Sequence, residues 1–269
     1  MYLIESKKDN KKILHTGDFR NHGRKEKLFE LVLHQIGKVD LLITEGTTLS
    51  RSNKKYISEK DLEVEASKIM DQYDQVFIMQ SSTNIDRTVS FLKASLKSGK
   101  KFILDLFSYY INLAVDFKVN VDNKNIFVWK PLKYNKKPKW FKDKYLNIET
   151  SSNIMPKYTM EVKASMLEDI KLLYNKGMIK KACLIYSMWD GYIEKEEKLQ
   201  EFIKELEKMN IEFIELHTSG HADYTAMKKL NKIVEPSSTI IIHTENSKEG
   251  TKIFNNVEII EDNKYYQVK

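Results

Sequence analysis

Apolar residues fall in two rhythms along this chain. Short runs of β-branched and aliphatic side chains read as strands at Ile13 to Thr16, Val39 to Glu45, Val76 to Gln80, Lys101 to Asp105, Ile126 to Trp129, Ala182 to Ser187, Phe213 to His217 and Thr239 to His243. Between several of them, apolar residues recur three and four apart, which predicts helices at Lys25 to Gln35, Asp61 to Tyr73, Asp86 to Lys97, Met160 to Asn175, Glu194 to Lys208 and Tyr224 to Ile233. Alternation of this kind predicts an α/β fold with largely parallel sheets and helices packed on their faces. The least regular stretch, about 130 to 158, holds three of the four prolines, and no internal repeat is present.

Length and composition narrow the class. With 269 residues, 41% of them hydrophobic, the chain can bury the core of one large domain or two modest ones. It has no uninterrupted apolar run of about 18 residues, and Met1 to Lys8 lack the charged-then-apolar order of a signal peptide. A cytoplasmic protein with no membrane partner is expected. The single cysteine, Cys183, excludes an internal disulfide and a Cys-rich zinc cluster, so any metal must be held by His, Asp and Glu. A net charge of +7 favours a polyanionic partner such as nucleic acid, because Lys and Arg displace counterions from phosphates. Lysine is scattered along the whole chain, which weakens that argument; local clustering says more. Residues 130 to 145 interleave basic and aromatic side chains, nominating Lys136, Lys137, Lys139 and Trp140 for phosphate and base contacts. A solvated loop with buried rings is the competing reading.

Four of the expected strands end in chemically capable groups. These are His15-Thr16-Gly17-Asp18, Glu45-Gly46-Thr47, His217-Thr218-Ser219-Gly220-His221 and His243-Thr244-Glu245. In open α/β folds the carboxyl ends of strands converge on one edge, so residues far apart in sequence can meet there. Carboxylate and imidazole are ligands suited to a zinc or manganese hydrolase.

Taken in order, these segments resemble the metallo-β-lactamase fold and its β-CASP branch of nucleic-acid hydrolases, which includes RNase J and the cleavage and polyadenylation endonuclease. His15-Thr16-Gly17-Asp18-Phe19 matches the family's Thr-Gly-Asp-Phe turn, Leu42-Ile43-Thr44-Glu45-Gly46-Thr47 its next acidic strand end, Ser219-Gly220-His221 its later Ser-Gly-His segment, and Ile240-Ile241-Ile242-His243 its final histidine. The resemblance implies an αββα hydrolase domain with an inserted β-CASP α/β domain. The expected pieces are a first hydrolase segment over 1–50, an insertion over 51–212 and a return segment over 213–269. It further implies Asp18 and His243 as ligands of a two-ion zinc or manganese site. His221 would position or protonate the leaving group, Glu45 would orient neighbouring histidines, and RNA would be the substrate.

The departure from the family is equally specific. Its His-x-His-x-Asp-His motif precedes the Thr-Gly-Asp turn, whereas here only seventeen residues precede Asp18 and no His-x-His occurs anywhere. The expectation is therefore a chain that begins within the hydrolase domain and is inactive alone. Three explanations stay open: a truncated reading frame, a site completed by another polypeptide, with a homodimer among the candidate assemblies, or a homologue that has lost catalysis. A catalytically silent nucleic-acid-binding or interaction protein derived from the same fold is the alternative. In the insertion, Ser81, Ser82, Asn84 and Arg87 are candidate substrate-binding residues, with helix capping as the competing role. Ser187 to Tyr192 reads as a second substrate-facing loop. His217 is evenly balanced between site and packing, His15 is unassigned, and His22 and His34 read as loop and helix-surface residues.

Overall fold

The computed structural model describes residues 1–49, 56–115, 126–129, 147–149, 154–261 and 263–268. In chain order the elements are β1 (Tyr2–Glu5), β2 (Lys12–His15), α1 (Glu26–Ile36), β3 (Leu41–Glu45), α2 (Glu59–Met70), β4 (Gln75–Met79), α3 (Ile85–Lys97), β5 (Lys101–Leu104), α4 (Leu106–Ala114), β6 (Ile126–Trp129) and β7 (Asn147–Glu149). There follow β8 (Tyr158–Glu161), α5 (Leu167–Asn175), β9 (Ala182–Tyr186), α6 (Gly191–Lys195), α7 (Glu197–Lys208), β10 (Glu212–Glu215), α8 (Tyr224–Val234), β11 (Ser238–Ile242) and β12 (Val257–Glu258). The chain is α/β throughout and divides into two compact units, Met1–Ser58 with Ser219–Lys269, and Glu59–Thr218. Among the described residues no helix is long and apolar enough to cross a membrane.

The first unit is built from both ends of the chain around a five-stranded sheet in the order β1-β2-β3-β11-β12. The β1–β2 pair is antiparallel, and the other three pairs are parallel. Leu14, Leu42 and Ile241 from the sheet pack with Leu33 of α1 and Met227, Leu230 and Val234 of α8. The spacing of those last three residues puts them on one helical face. Asp223 starts α8 by accepting a hydrogen bond from the Ala226 N–H at 2.7 Å, so a carboxylate caps the helix just after the candidate His221.

The second unit holds a seven-stranded, wholly parallel sheet in the order β10-β9-β4-β8-β5-β6-β7. Strand alternation divides its core in two. Phe77, Leu184, Ile103 and Met160 face Ile170 of α5 and Phe202 and Leu206 of α7. Val76, Ile78, Cys183, Ile185 and Phe102 face Leu62 and Met70 of α2 and Phe91 of α3. Helices thus cover both faces, as a parallel sheet requires. Burial pushes the Cys183 thiol up to about 12, so it is an inert core residue.

Two expectations are corrected here. The helix read over Met160 to Asn175 begins only at Leu167, because Tyr158–Glu161 is the central strand β8, buried at all four positions. Met160, Val162, Met166, Ile170 and Leu173 all join one core cluster, so strand and helix residues together mimic a single 3.6-residue period. The return segment starts at Ser219 and not at residue 213, because β10 pairs with β9 from Glu212 to Glu215 and so belongs to the second unit. The other boundary falls at Ser58.

Candidate functional site

In the first unit β2, β3 and β11 are parallel neighbours, so their carboxyl ends emerge side by side. Beyond β2 the chain turns at Gly17, whose φ of +57° suits a residue without Cβ. Two local hydrogen bonds fix the turn: the Gly17 N–H donates to His15 Nδ1 at 3.0 Å, and the Thr16 hydroxyl donates to the Gly17 carbonyl at 2.7 Å. Asp18 is left exposed, while Phe19 is buried and stacks on Phe29 with ring centroids 5.5 Å apart.

Glu45 ends β3 with its side chain 1% exposed. Its Oε1 accepts from the Phe19 N–H at 2.8 Å, and its Oε2 lies 2.8 Å from His221 Nδ1. A buried carboxylate at that distance orients the imidazole and directs its other nitrogen, Nε2, away from the pair. The loop bearing His221 is tied down at several points. The Ser219 hydroxyl accepts from the His221 N–H at 3.1 Å, His22 Nε2 lies 2.7 Å from the Ser219 carbonyl, and the Thr48 hydroxyl donates to the Ala222 carbonyl at 2.6 Å.

His243 follows β11 with φ at +54°, a left-handed conformation that is strained for a side-chain-bearing residue. Its Nδ1 lies 3.1 Å from Asp18 Oδ1 and 3.2 Å from the Thr47 hydroxyl. The His221 and His243 rings are 5.6 Å apart, centroid to centroid. One ligand atom from each of Asp18, Glu45, His221 and His243 lies within 4.8 Å of the others.

The donor set is carboxylate and imidazole without thiolate, which suits zinc or manganese. Two atoms bound tetrahedrally to one zinc, each at about 2.1 Å, sit roughly 3.4 Å apart, close to the 3.1 Å between Asp18 Oδ1 and His243 Nδ1. Glu45 already receives the Phe19 backbone N–H on one oxygen and faces His221 with the other. Asp18 and His243 are the two outward-facing side chains of the group, each more than half exposed.

The structure thus brings together the four residues nominated from strand ends, and it gives roles to two that sequence reasoning passed over. His15 holds the Gly17 turn; its spacing of two residues from the N–H it accepts is the local signal. His22, expected on a loop surface, is buried against the Ser219 carbonyl, and no local pattern marks that contact. His34 is exposed on α1, as expected of a helix-surface residue. His217 lies in the second unit, outside the four-residue group. Burial and the neighbouring Arg87 guanidinium push its imidazole down to about 4, so it is neutral at physiological pH.

Of the insertion candidates, Ser81 is exposed beside Thr83, Ser82 is buried and accepts from the Ser108 hydroxyl at 2.8 Å, and Asn84 caps α3 through the Arg87 N–H at 3.2 Å. Arg87 is fully buried, which corrects the expectation that it faces substrate. Its guanidinium meets Glu59 at 3.1 Å and donates to the carbonyls of Ser187 at 3.2 Å and Thr218 at 2.9 Å. Lys136, Lys137, Lys139 and Trp140 lie outside the described residues.

The carboxyl edge of the second sheet carries another polar group. Gln80, Asp105 and Glu161 close or follow the neighbouring strands β4, β5 and β8. Asp105 caps α4 through the Phe107 N–H at 2.8 Å and pairs with Lys163 at 3.0 Å. Gln80 Nε2 donates to the Thr88 hydroxyl at 2.9 Å and to Glu161 Oε1. Burial, aided by the Asp105 charge, raises the Glu161 carboxyl to about 7.

No family model matches this chain, and no curated protein matches it. Among solved structures it is similar to a protein of unknown function from Enterococcus faecalis V583, with a TM-score of 0.73 and 19% identity. The alignment covers 96% of this chain and 58% of that one. The likeness shows a shared α/β fold, and this chain spans little more than half of its neighbour's length.

Proposed function

We propose that this chain is a metal-dependent phosphodiester hydrolase of the β-CASP ribonuclease type, built on a metallo-β-lactamase domain and acting on RNA once further ligands complete its metal site. The observation that carries the reading is the convergence of Asp18, Glu45, His221 and His243 from four separate chain segments onto one strand edge. A zinc or manganese ion there would supply an activated water nucleophile and neutralise charge developing on a phosphoryl group. Asp18 and His243 would hold it. The buried Glu45 carboxylate holds His221 through Nδ1–H and leaves Nε2 facing outward, so that the doubly protonated ring can give its Nε2 proton to the departing oxygen. The outward pair of ligands favours a second reading, a nucleic-acid-binding protein that carries the same residues without turnover.

Complementation separates the two. The chain alone, after desalting, should retain less than one equivalent of metal by elemental analysis; two tightly held ions would overturn the ligand assignment. Adding a polypeptide that bears His-x-His-x-Asp-His should restore metal-dependent RNA cleavage. Asp18→Ala or His243→Ala should then abolish cleavage with loss of metal. His221→Ala should keep the metal and slow cleavage by about two to four orders of magnitude. Metal-loaded, folded complexes that bind RNA but never cut it would establish the binding-protein reading instead.

A further inference from the structure

The loop after β9 presents two large aromatic side chains to solvent, Trp189 at 38% and Tyr192 at 43% exposure. The loop is anchored, not slack. The Ser187 N–H donates to the Met79 carbonyl at 2.8 Å, its hydroxyl donates to the Leu216 carbonyl at 2.6 Å, and the Tyr186 hydroxyl donates to the Trp189 carbonyl at 3.0 Å. Asp190 accepts from the Gly191 N–H at 2.9 Å and sets the start of α6. Three residues of that helical turn then support the indole. A Cβ at Gly191 would come within 2.4 Å of the ring, the Tyr192 ring meets it edge-on at 5.4 Å, and Lys195 Nζ lies 4.9 Å from its centroid. Gly191 is therefore required for the indole to lie where it does. A fixed, partly exposed indole with an aromatic edge beside it and an ammonium over one of its faces matches the chemistry of a nucleotide, a flat π-face joined to an anion. It also stands at the carboxyl end of a parallel strand, where open α/β sheets bind ligands.

We propose that Trp189, Tyr192 and Lys195 form a stacking platform that takes one base of single-stranded RNA, with Lys195 offsetting the adjacent phosphate. The choice of ligand rests on the nucleic-acid reading above, but the platform needs no metal. Binding of a hexa-adenylate RNA to the full chain is therefore measured by calorimetry in EDTA, so failure here leaves the metal chemistry untouched and failure of cleavage leaves the platform untouched. Trp189→Ala should weaken binding by about 5- to 100-fold with an unchanged salt slope, because stacking releases no counterions. Trp189→Phe should lose less. Gly191→Ala should reproduce most of the loss with the tryptophan still present, since its methyl group displaces the ring. Lys195→Ala should lower the salt slope by about 0.7. A hexa-deoxyadenylate bound equally well shows that the base and not the sugar is read, and adenosine monophosphate bound as tightly as the hexamer assigns a free nucleotide as the source of that base. Wild-type protein that binds none of these probes, or Trp189→Ala and Gly191→Ala proteins that bind like wild type, would overturn the platform.

Discussion

Replacing Glu161 by Gln should stabilise the second unit, and by more at pH 8 than at pH 5. Glu161 ends the central strand β8 in full burial beside the Asp105 carboxylate, and its carboxyl is raised from 4.5 to about 7. The folded state therefore holds that proton more tightly than the unfolded chain does, by roughly 3 kcal/mol at about 1.4 kcal/mol per pH unit. Because the folded value is the higher one, this contribution is fully present below pH 4.5 and is lost as pH rises through about 7. A glutamine does not titrate. Its amide can still accept from Gln80 Nε2 and can donate to Gln80 Oε1, which lacks a hydrogen-bond partner among the described residues. Denaturant unfolding followed by tryptophan fluorescence reads this unit selectively, since Trp129, Trp140 and Trp189 all fall within it. The stability difference between variant and wild type should grow by about 2 to 3 kcal/mol from pH 5 to pH 8 and level off above it. Titrating groups remote from Glu161 cancel in that difference, whereas Asp105 and Lys163, which act on Glu161 directly, contribute to it. A difference that stays flat with pH would show that Glu161 titrates as an ordinary carboxyl and that its surroundings are wetter than described.

Three further outcomes are expected. Arg87→Met leaves the Glu59 carboxylate buried without its cation, which should cost the second unit about 3 to 5 kcal/mol in the same fluorescence assay; a smaller cost in Arg87→Met/Glu59→Leu would identify the stranded charge as the cause. Gly46→Ala places a methyl group 2.6 Å from Ile241 Cγ2 and 2.9 Å from Thr244 Cβ. It should destabilise the first unit by about 1 to 3 kcal/mol and weaken manganese binding by displacing His243, as metal titration would show. Replacing Lys136, Lys137 and Lys139 by Ala should lower the salt slope of RNA binding by about 0.7 per lysine, and an unchanged slope would reduce residues 130 to 145 to an ordinary loop.

What the sequence revealed follows from the range of the interactions involved. Strands such as Gln75–Met79 and Ala182–Tyr186 were legible because a parallel strand covered on both faces is a continuous apolar run bounded by polar residues. Glu45 and His243 were legible because each closes or follows such a run, whereas Asp18 and His221 follow the less buried strands β2 and β10 and were legible from the Gly-containing turns beside them. The helix α4 was missed: Leu106, Tyr109, Tyr110 and Leu113 stand three and four apart, but Phe107, Ile111 and Ala114 between them blur the period, and its start depends on the Asp105 cap. The short strand β1 was missed because all four of its residues are exposed, so it carries no burial pattern. Contacts across the chain were illegible for another reason. His22 meets Ser219 at a separation of 197 residues, and Arg87 finds Glu59, Ser187 and Thr218 only after α3 and the sheet have formed. A lone arginine in a capping loop looks the same whether solvent or a buried carboxylate awaits it.

The Arg87 guanidinium has a temporal consequence. It grips Glu59, where the chain enters the second unit, and Thr218, where it leaves, so folding of that unit draws its own two ends together. Strand β3 must otherwise find its parallel partner β11 across the whole intervening sequence. Once those ends are clasped, the loop still to be closed shrinks about fivefold, which lowers its entropic cost by roughly 1.5 kcal/mol. During synthesis the first 58 residues, carrying Asp18 and Glu45, must wait while the inserted unit emerges and folds. His221 and His243 leave the ribosome only afterwards, so the four side chains at that strand edge can meet only once the inserted unit has been made.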